Sequence, residues 1–283
     1  MIRHVQCDIC GSSSSRLISR IKVNSDDADL HEFTESLCLV NCIRCGLLYV
    51  NPQPVFSRGD LEKLYSKEYF SREYMRFYDV DQTDAVQSNE AFAWRLDLIK
   101  QYKTKGNLLD IGCASGGFLA EAQKRGWEVS GVEISQYAAE LATQKCKCKI
   151  VVGTLEDAHF NDASFDVVSV GDILEHVSSP SNFLLELKRV LKDDGIAYIA
   201  VPNAASFYYA FFGLLSKWNH KNYFVLPHHL YHFSPLTLKK VLDKSGFDLM
   251  ELRFSHSRNP SWWMNVFNFH DRLIAIAKKK RCS

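Results

Sequence analysis

Four cysteines near the start of the chain fall into two pairs, Cys7 with Cys10 in "CDIC" and Cys42 with Cys45 in "CIRC", separated by thirty-one residues. A glycine directly follows each pair, Gly11 and Gly46, and a turn that wraps its backbone around a metal would use such a residue at positive φ. Thiolates on two such turns suit a tetrahedral zinc ion, which gives a short, core-poor segment a substitute for a core. Redox thiols are the alternative. Two pairs so close together favour a structural zinc, with Cys38 as a bystander.

A second constellation is "LLDIGCASGGFL", residues 108 to 119. A glycine loop between a strand and a helix turns free backbone N–H groups and the helix dipole toward whatever binds there. No Gly-Lys-Ser/Thr follows, which excludes the triphosphate P-loop. Asp110 stands two residues before Gly112, at the carboxyl end of the expected strand. A carboxylate there repels a pyrophosphate and suits a cofactor carrying an ammonium and a sulfonium, so the loop points to S-adenosylmethionine. Glu133 in "SGVEIS" lies 17 residues beyond Gly116, the spacing at which an acid meets ribose hydroxyls in a nucleotide-binding βαβ unit. NAD sites share that acid, so it supports a nucleotide cofactor without choosing between the two.

Methyl transfer from a sulfonium is an in-line displacement, governed mainly by positioning, and it needs a base only where the acceptor must lose a proton. Asp172, Glu175 and His176 in "GDILEHV" and His228, His229 and His232 in "PHHLYHFS" are the groups that could serve. Ordering of the loop and capping of the next helix is the bland alternative for Glu175 and His176. The histidine spacing matches no strong metal signature.

These residues need elements to hold them. After "TKGN" the pattern alternates: "LLDIG", "EVSGVEI", "KIVVGT", "FDVVSVGDIL" and "GIAYIAVPN" read as strands, and 119–125, 135–146 and 180–192 as helices. Such alternation specifies an α/β fold with a doubly wound, seven-stranded, mostly parallel sheet. Upstream, a short helix is expected around Leu61 and Leu64, and a longer one over 84–103 with Val86, Phe92, Leu96 and Ile99 on one face. Downstream, "SPLTLKKVLDKSGF" is a helix capped by Ser234, with Pro235 in its first turn and Gly246 at its end. "DLMELRF" is the following strand, while "DRLIAIAKK" fits a strand or a helix end. The expected organisation is a zinc-ribbon-like module over 1–50, a connector over 51–82, and the α/β domain over 83–283. The aromatic-rich stretch at 203–228 is expected to form a substrate lid, with core packing or peripheral membrane contact as the alternatives.

Composition narrows the partners. A net charge of +1, from 34 basic and 33 acidic residues, provides no field for gripping nucleic acid. The first residues lack both an apolar signal region and a cleavage site, and no run of apolar residues reaches membrane-spanning length, so the cytoplasm is the expected compartment.

The order "LLDIGCASGGFL", "VSGVEIS", "FDVVSVGDILEHV" and "GIAYIAVPN" resembles the class I S-adenosylmethionine-dependent methyltransferases over about residues 90–255. "LEHV" and "HLYHFSPLTLKKVLDKSGF" are similar to the branch containing the ubiquinone-type O-methyltransferases. The resemblance implies that Asp110, Gly112 and Gly116 hold the methionine portion of the cofactor and Glu133 its ribose, with Ala114, Ile134 and Asp172 alongside. It implies roles near the acceptor for Glu175, His176 and His229, with His176 the first candidate base and His229 the second, and in relatives such acids and histidine can hold a divalent metal. Thr154 stands where an acid commonly meets the adenine amino group, which leaves Leu155 and Glu156 for that pocket. Ala114 replaces the family's usual second glycine. Members with leading Cys-x-x-Cys pairs often act in glycan or secondary-metabolite pathways, so the implied acceptor is a sugar, a nucleotide-sugar or a related small molecule, methylated on oxygen or carbon. An RNA methyltransferase and a catalytically silent binding protein are the competing readings.

Overall fold

The computed structural model describes residues 1–21, 37–67, 84–206, 228–255 and 272–281. The N-terminal strands are β1 (Ile2–Arg3), β2 (Ser15–Arg20), β3 (Cys38–Cys42), β4 (Leu48–Val50) and β5 (Gln53–Pro54), followed by helices α1 (Arg58–Leu64) and α2 (Asp84–Lys100). Strict alternation comes next: β6 (Asn107–Ile111), α3 (Gly117–Lys124), β7 (Glu128–Glu133), α4 (Gln136–Cys146), β8 (Lys149–Val152), β9 (Phe165–Gly171), α5 (Pro180–Val190) and β10 (Leu191–Pro202). The described chain closes with β11 (Tyr231–His232), α6 (Pro235–Lys244), β12 (Phe247–Ser255) and β13 (Arg272–Lys279).

Seven strands form one sheet in the order β12-β13-β10-β9-β6-β7-β8. β6 pairs in parallel with both β7 and β9, β7 in parallel with β8, and β12 antiparallel with β13. This is the expected doubly wound α/β fold. The final segment, open to two readings in the sequence, is a strand. Its residues Leu273 to Ala277 are buried, so both faces of the strand are apolar and no alternation betrays it.

The chain divides into two compact units, one of residues 1–55, 172–185 and 199–280, the other of residues 56–171, 186–198 and 281–283. The second unit holds β6 to β9. Leu108, Leu109, Val167 and Val168 are fully buried there, each contributing about 2 kcal/mol of apolar burial. Strand order reverses at β6, with β7 on one side and β9 on the other, and such a reversal opens a crevice at the carboxyl ends of the strands. In α2, Leu96 and Ile99 are buried as the helical period requires, and Phe92 meets Phe118 edge to face.

The first unit contains the cysteines. Its four-stranded sheet runs β11-β4-β3-β2, so residues 231–232 complete a sheet that the first fifty residues begin. The sequence shows little periodicity from Ser12 to Ser36, yet Ser15–Arg20 forms β2. Leu17 and Ile18 are both exposed there, which erases the in-out alternation that would have marked a strand. Asp8, between the first two cysteines, caps α5: its carboxylate accepts from Ser181 N at 2.9 Å, Ser181 Oγ at 2.5 Å and Ser179 Oγ at 2.8 Å. Asp8→Ala should therefore lower stability by about 1–2 kcal/mol, the worth of a good helix cap. A shift in the urea midpoint with an unchanged slope is the expected readout, and no shift would mean the cap is idle.

In the same unit, Ser234 accepts from Thr237 N while the Thr237 hydroxyl accepts from Ser234 N, a reciprocal box that starts α6 after Pro235. Leu238, Val241 and Leu242 form its buried face. The aromatic stretch proposed as a lid lies largely outside the described residues; only 203–206 and 228 fall within them.

Candidate active site

The glycine loop begins where β6 ends. Gly112 and Cys113 donate their N–H groups to Val132 O at 2.8 and 3.1 Å, tying the loop to β7. Gly112, Ala114 and Gly116 all have positive φ, at 72°, 48° and 76°. A side chain on Gly116 would meet Cys146 Sγ at 2.9 Å and the Ala142 Cα at 3.0 Å, so helix α4 packs against bare loop backbone. Ala114 has no such excuse of space. It holds a left-handed conformation that costs an L-residue roughly 1–2 kcal/mol, and its N–H donates to Glu133 Oε2 at 2.8 Å. The alanine thus holds a backbone conformation that a glycine adopts without strain. Ala114→Gly should relieve the strain at some cost in unfolded-chain entropy, a net gain of about 0.5 kcal/mol. A loss of stability in urea titration would show the loop to be unstrained.

Glu133 is buried at the end of β7, and its Oε1 accepts from Ser135 N at 2.9 Å. Burial raises its pKa, opposed by the N–H groups of Ser135, Ala114 and Ile134. The backbone of Ile134 therefore helps to hold the acid. Asp110 is also buried, 3% exposed. Burial raises its carboxyl to about 6, against the lowering charge of Arg95.

Arg95, on α2, escapes a reading of the sequence. Its Nη2 donates to Asp110 Oδ1 at 3.0 Å, and its guanidinium lies over the Phe118 ring at 4.0 Å and the Tyr198 ring at 4.5 Å. Two ring faces and a buried carboxylate fix a planar cation in place. Among the described residues, its buried Nε has no hydrogen-bond partner. Asp110 and Arg95 are thus an anion and a cation side by side, as a zwitterionic amino-acid group requires of its site. The arginine falls at a helical position that reads as part of a polar face, and only tertiary structure reveals its partner.

At the adenine pocket expected from Thr154, Leu155 and Glu156, Leu155 is 1% exposed and Glu156 is exposed. Asp157 shapes this turn: its carboxylate accepts from Thr154 N at 3.0 Å, and its own N–H donates to Thr154 Oγ1 at 3.3 Å. Cys113 lies beneath Gly131, and its thiol is pushed far up by burial and then by the charge of Asp110, so it stays protonated and inert.

In the other unit, Asp172 adopts φ 54° and forms an ion pair with Arg272. Positive φ at this residue ends β9 at Gly171, earlier than the run "FDVVSVGDIL" indicates. Glu175 and His176 follow. The backbone carbonyl of Glu175 accepts from Leu230 N at 2.8 Å and Tyr231 N at 3.1 Å, which draws the distant "PHHLYH" segment onto "LEHV". As a result the His176 ring lies 5.1 Å from that of His228 and 4.5 Å from that of His229, centroid to centroid. His232 lies 6.3 Å from His229. Burial lowers the pKa of His176 to about 4, of His228 to about 3 and of His232 to about 4, and holds His229 well below its ordinary value. All four rings are therefore neutral at pH 7. Glu175 is 1% exposed, and burial pushes it up to about 8.

The four N-terminal cysteines converge in this unit as well. Cys7 Sγ lies 3.4 Å from Cys45 Sγ and Cys10 Sγ 3.5 Å from Cys42 Sγ, with all four sulfurs within 4.8 Å of one another. Gly11 N donates to Cys7 O at 2.8 Å and Gly46 N to Cys42 O at 2.9 Å. The two turns are near copies, each with its glycine at positive φ.

The strand order, the glycine loop and the two buried acids at its edge define a Rossmann-like, nucleotide-cofactor fold of the methyltransferase kind. A family model described as "Methyltransferase domain" matches residues 84–252, more than half of the chain, and the protein belongs to that family. It is 32% identical over 180 residues to a ubiquinone biosynthesis O-methyltransferase of Pelagibacter ubique, covering 55% of this chain and 74% of that one. With the namesake from Rickettsia typhi it shares 29% over 169 residues, covering 55% and 67%. A match to an uncharacterized protein of Methanocaldococcus jannaschii spans 49% of this chain and 62% of that protein at 28% identity, so the curated relatives extend beyond the matched portion. Among solved structures, magnesium protoporphyrin IX methyltransferase of Synechocystis with bound SAH superposes with a TM-score of 0.61 at 15% identity, covering 79% of this chain and 100% of that one. That likeness concerns the fold. Among the described residues, no helix is long and apolar enough to cross a membrane.

Proposed function

We propose that this protein transfers a methyl group from S-adenosylmethionine to a small-molecule acceptor, a sugar, nucleotide-sugar or related hydroxyl-bearing metabolite. The observation that carries the cofactor assignment is the buried Asp110–Arg95 pair at the mouth of the glycine loop. In this reading Asp110 takes the cofactor's ammonium, Arg95 its carboxylate and Glu133 the ribose hydroxyls, while Gly112, Ala114 and Gly116 let the backbone approach closely. Leu155 and Glu156 flank the adenine.

The transfer balances simply. The acceptor oxygen bonds to the methyl carbon, the carbon–sulfur bond breaks, and its electron pair stays on sulfur to leave neutral S-adenosylhomocysteine. Glu175, His176 and His229 are proposed to meet the acceptor, whose proton leaves as the new bond forms. Oxygen is favoured as the acceptor atom because named relatives are O-methyltransferases.

The four cysteines are proposed to hold a structural zinc ion. Sulfur separations of 3.4 and 3.5 Å approach the value of about 3.8 Å expected for a tetrahedral site with Zn–S bonds near 2.3 Å. Bound there, zinc would cross-link the two turns.

The test is a labelled-methyl screen with the zinc-loaded protein against nucleotide-sugars, free sugars, phenols and RNA. Transfer to a small hydroxyl compound supports the reading. Salt-resistant retention on RNA with transfer to it would replace this reading by the nucleic-acid one, and calorimetry without any S-adenosylmethionine binding would favour a binding protein that kept the fold.

A further inference from the structure

The three histidines brought together by the Glu175 carbonyl have a geometry of their own. One ring nitrogen from each of His176, His228 and His229 lies within 4.8 Å of the others. His176 Nδ1 lies 3.1 Å from His228 O. A proton on Nδ1, donated to that carbonyl, leaves the Nε2 lone pair facing outward from this bond. Hydrogen bonding of one ring nitrogen to fix the other as a ligand is the usual arrangement behind metal-bound histidine. Beside it, Glu175 Oε1 lies 3.9 Å from His176 Nε2. Among the described residues, neither carboxylate oxygen of Glu175 has a hydrogen-bond partner, although the side chain is almost fully buried.

Among the described residues nothing donates to the Glu175 side chain, and a buried polar group left unsatisfied costs about 1–3 kcal/mol. A cation among the three rings offsets it directly. We propose that His176, His228 and His229 form a second metal site, for a divalent transition-metal ion, with Glu175 as the anion that balances it. Three imidazoles and one carboxylate suit zinc, iron, cobalt or nickel, and disfavour magnesium or calcium, which take oxygen ligands. Tetrahedral imidazoles at about 2.1 Å from a metal stand roughly 3.4 Å apart, so rotations of about 1 Å at the ring nitrogens close the site. These four residues are distinct from the cysteine module, and from the Asp172, Glu175 and His176 set that the resemblance implies: Asp172 is engaged by Arg272, and two ligands come instead from "PHH".

The role of the ion rests on the methyl-transfer reading. A metal with an open position meets an acceptor oxygen, lowers the pKa of its hydroxyl and fixes its direction. The proton then leaves to solvent, and the histidines act as ligands and not as proton acceptors.

The experiment uses the full chain, stripped with a chelator and reloaded with zinc or cobalt, with bound metal counted by mass spectrometry and S-adenosylmethionine affinity measured in parallel. The unaltered protein should bind two equivalents. His229→Ala should bind one, with the thiolate-to-cobalt charge-transfer band of the cysteine site retained. Glu175→Gln, which keeps all three rings, should weaken the second equivalent at least tenfold, and cofactor affinity should be unchanged in both variants. A single equivalent in the unaltered protein, or two tight equivalents in both variants, would overturn the proposal. Two equivalents without any cofactor binding would leave the metal site standing and remove the methyl-transfer reading.

Discussion

Asp110→Asn should bind S-adenosylmethionine about 30- to 150-fold more weakly than the unaltered protein, the loss of about 2–3 kcal/mol that follows removal of a charged hydrogen-bond acceptor. The companion ligand S-adenosylhomocysteine sharpens the test. It keeps the ammonium and carboxylate but lacks the positive sulfur. If Asp110 takes the ammonium, affinity for both ligands falls alike; a loss confined to S-adenosylmethionine would place the carboxylate at the sulfonium instead. Asparagine is preferred to alanine because it leaves a hydrogen-bond acceptor for Arg95, whose buried charge would otherwise go unanswered.

The same residue sets a pH dependence. Its carboxyl is held up at about 6, by burial outweighing the Arg95 charge, and a bound ammonium lowers that value further. Affinity should then be flat above pH 6 and fall by up to tenfold per unit below it, because the proton must leave before the ligand binds. Calorimetry between pH 5 and 8 measures this, and a flat profile would remove Asp110 from the ammonium.

The second large effect is expected from Cys42→Ser. Loss of one thiolate from a four-sulfur site should release the zinc, and structural zinc supplies on the order of 10 kcal/mol to small modules that depend on it. The mutant should lose one metal equivalent and show an earlier unfolding transition. The damage should also travel. Asp8 sits between Cys7 and Cys10 and caps α5 through Ser179 and Ser181, so a loosened turn also frays that helix. Amide exchange that stays slow at the first turn of α5 in Cys42→Ser would show the two to be uncoupled.

How far the sequence carried this account depended on whether a signal was local. The cap of α6 was legible because Ser234, Pro235 and Thr237 act within one turn. The alternation from β6 to β10 was legible because strand and helix periods differ. Ala114 stood out as an anomaly against the family's glycine, but only its φ shows that the alanine carries backbone strain. Arg95 was missed because its meaning lies in Asp110, Phe118 and Tyr198, three partners on three other elements. The histidine group was half seen. His176 and His229 were candidates, while His228 read as structural, since nothing local indicates that Glu175 O draws the two segments together across more than fifty residues. β2 was missed because a strand exposed on both faces carries no pattern to read.

The strand β11 gives the molecule's ancestry a constraint. Tyr231 and His232 pair with Tyr49 and Leu48, and Val50 N donates to Leu230 O at 2.9 Å. The cysteine-bearing segment therefore shares a sheet with the histidine segment and is not a detachable cassette beside it. A gene lacking the first 55 codons would keep the glycine loop with Asp110 and Glu133, yet would strip the partner strand from "HHLYH". Recombination between this protein and relatives without the cysteines should then exchange the two segments together or lose the histidine group altogether.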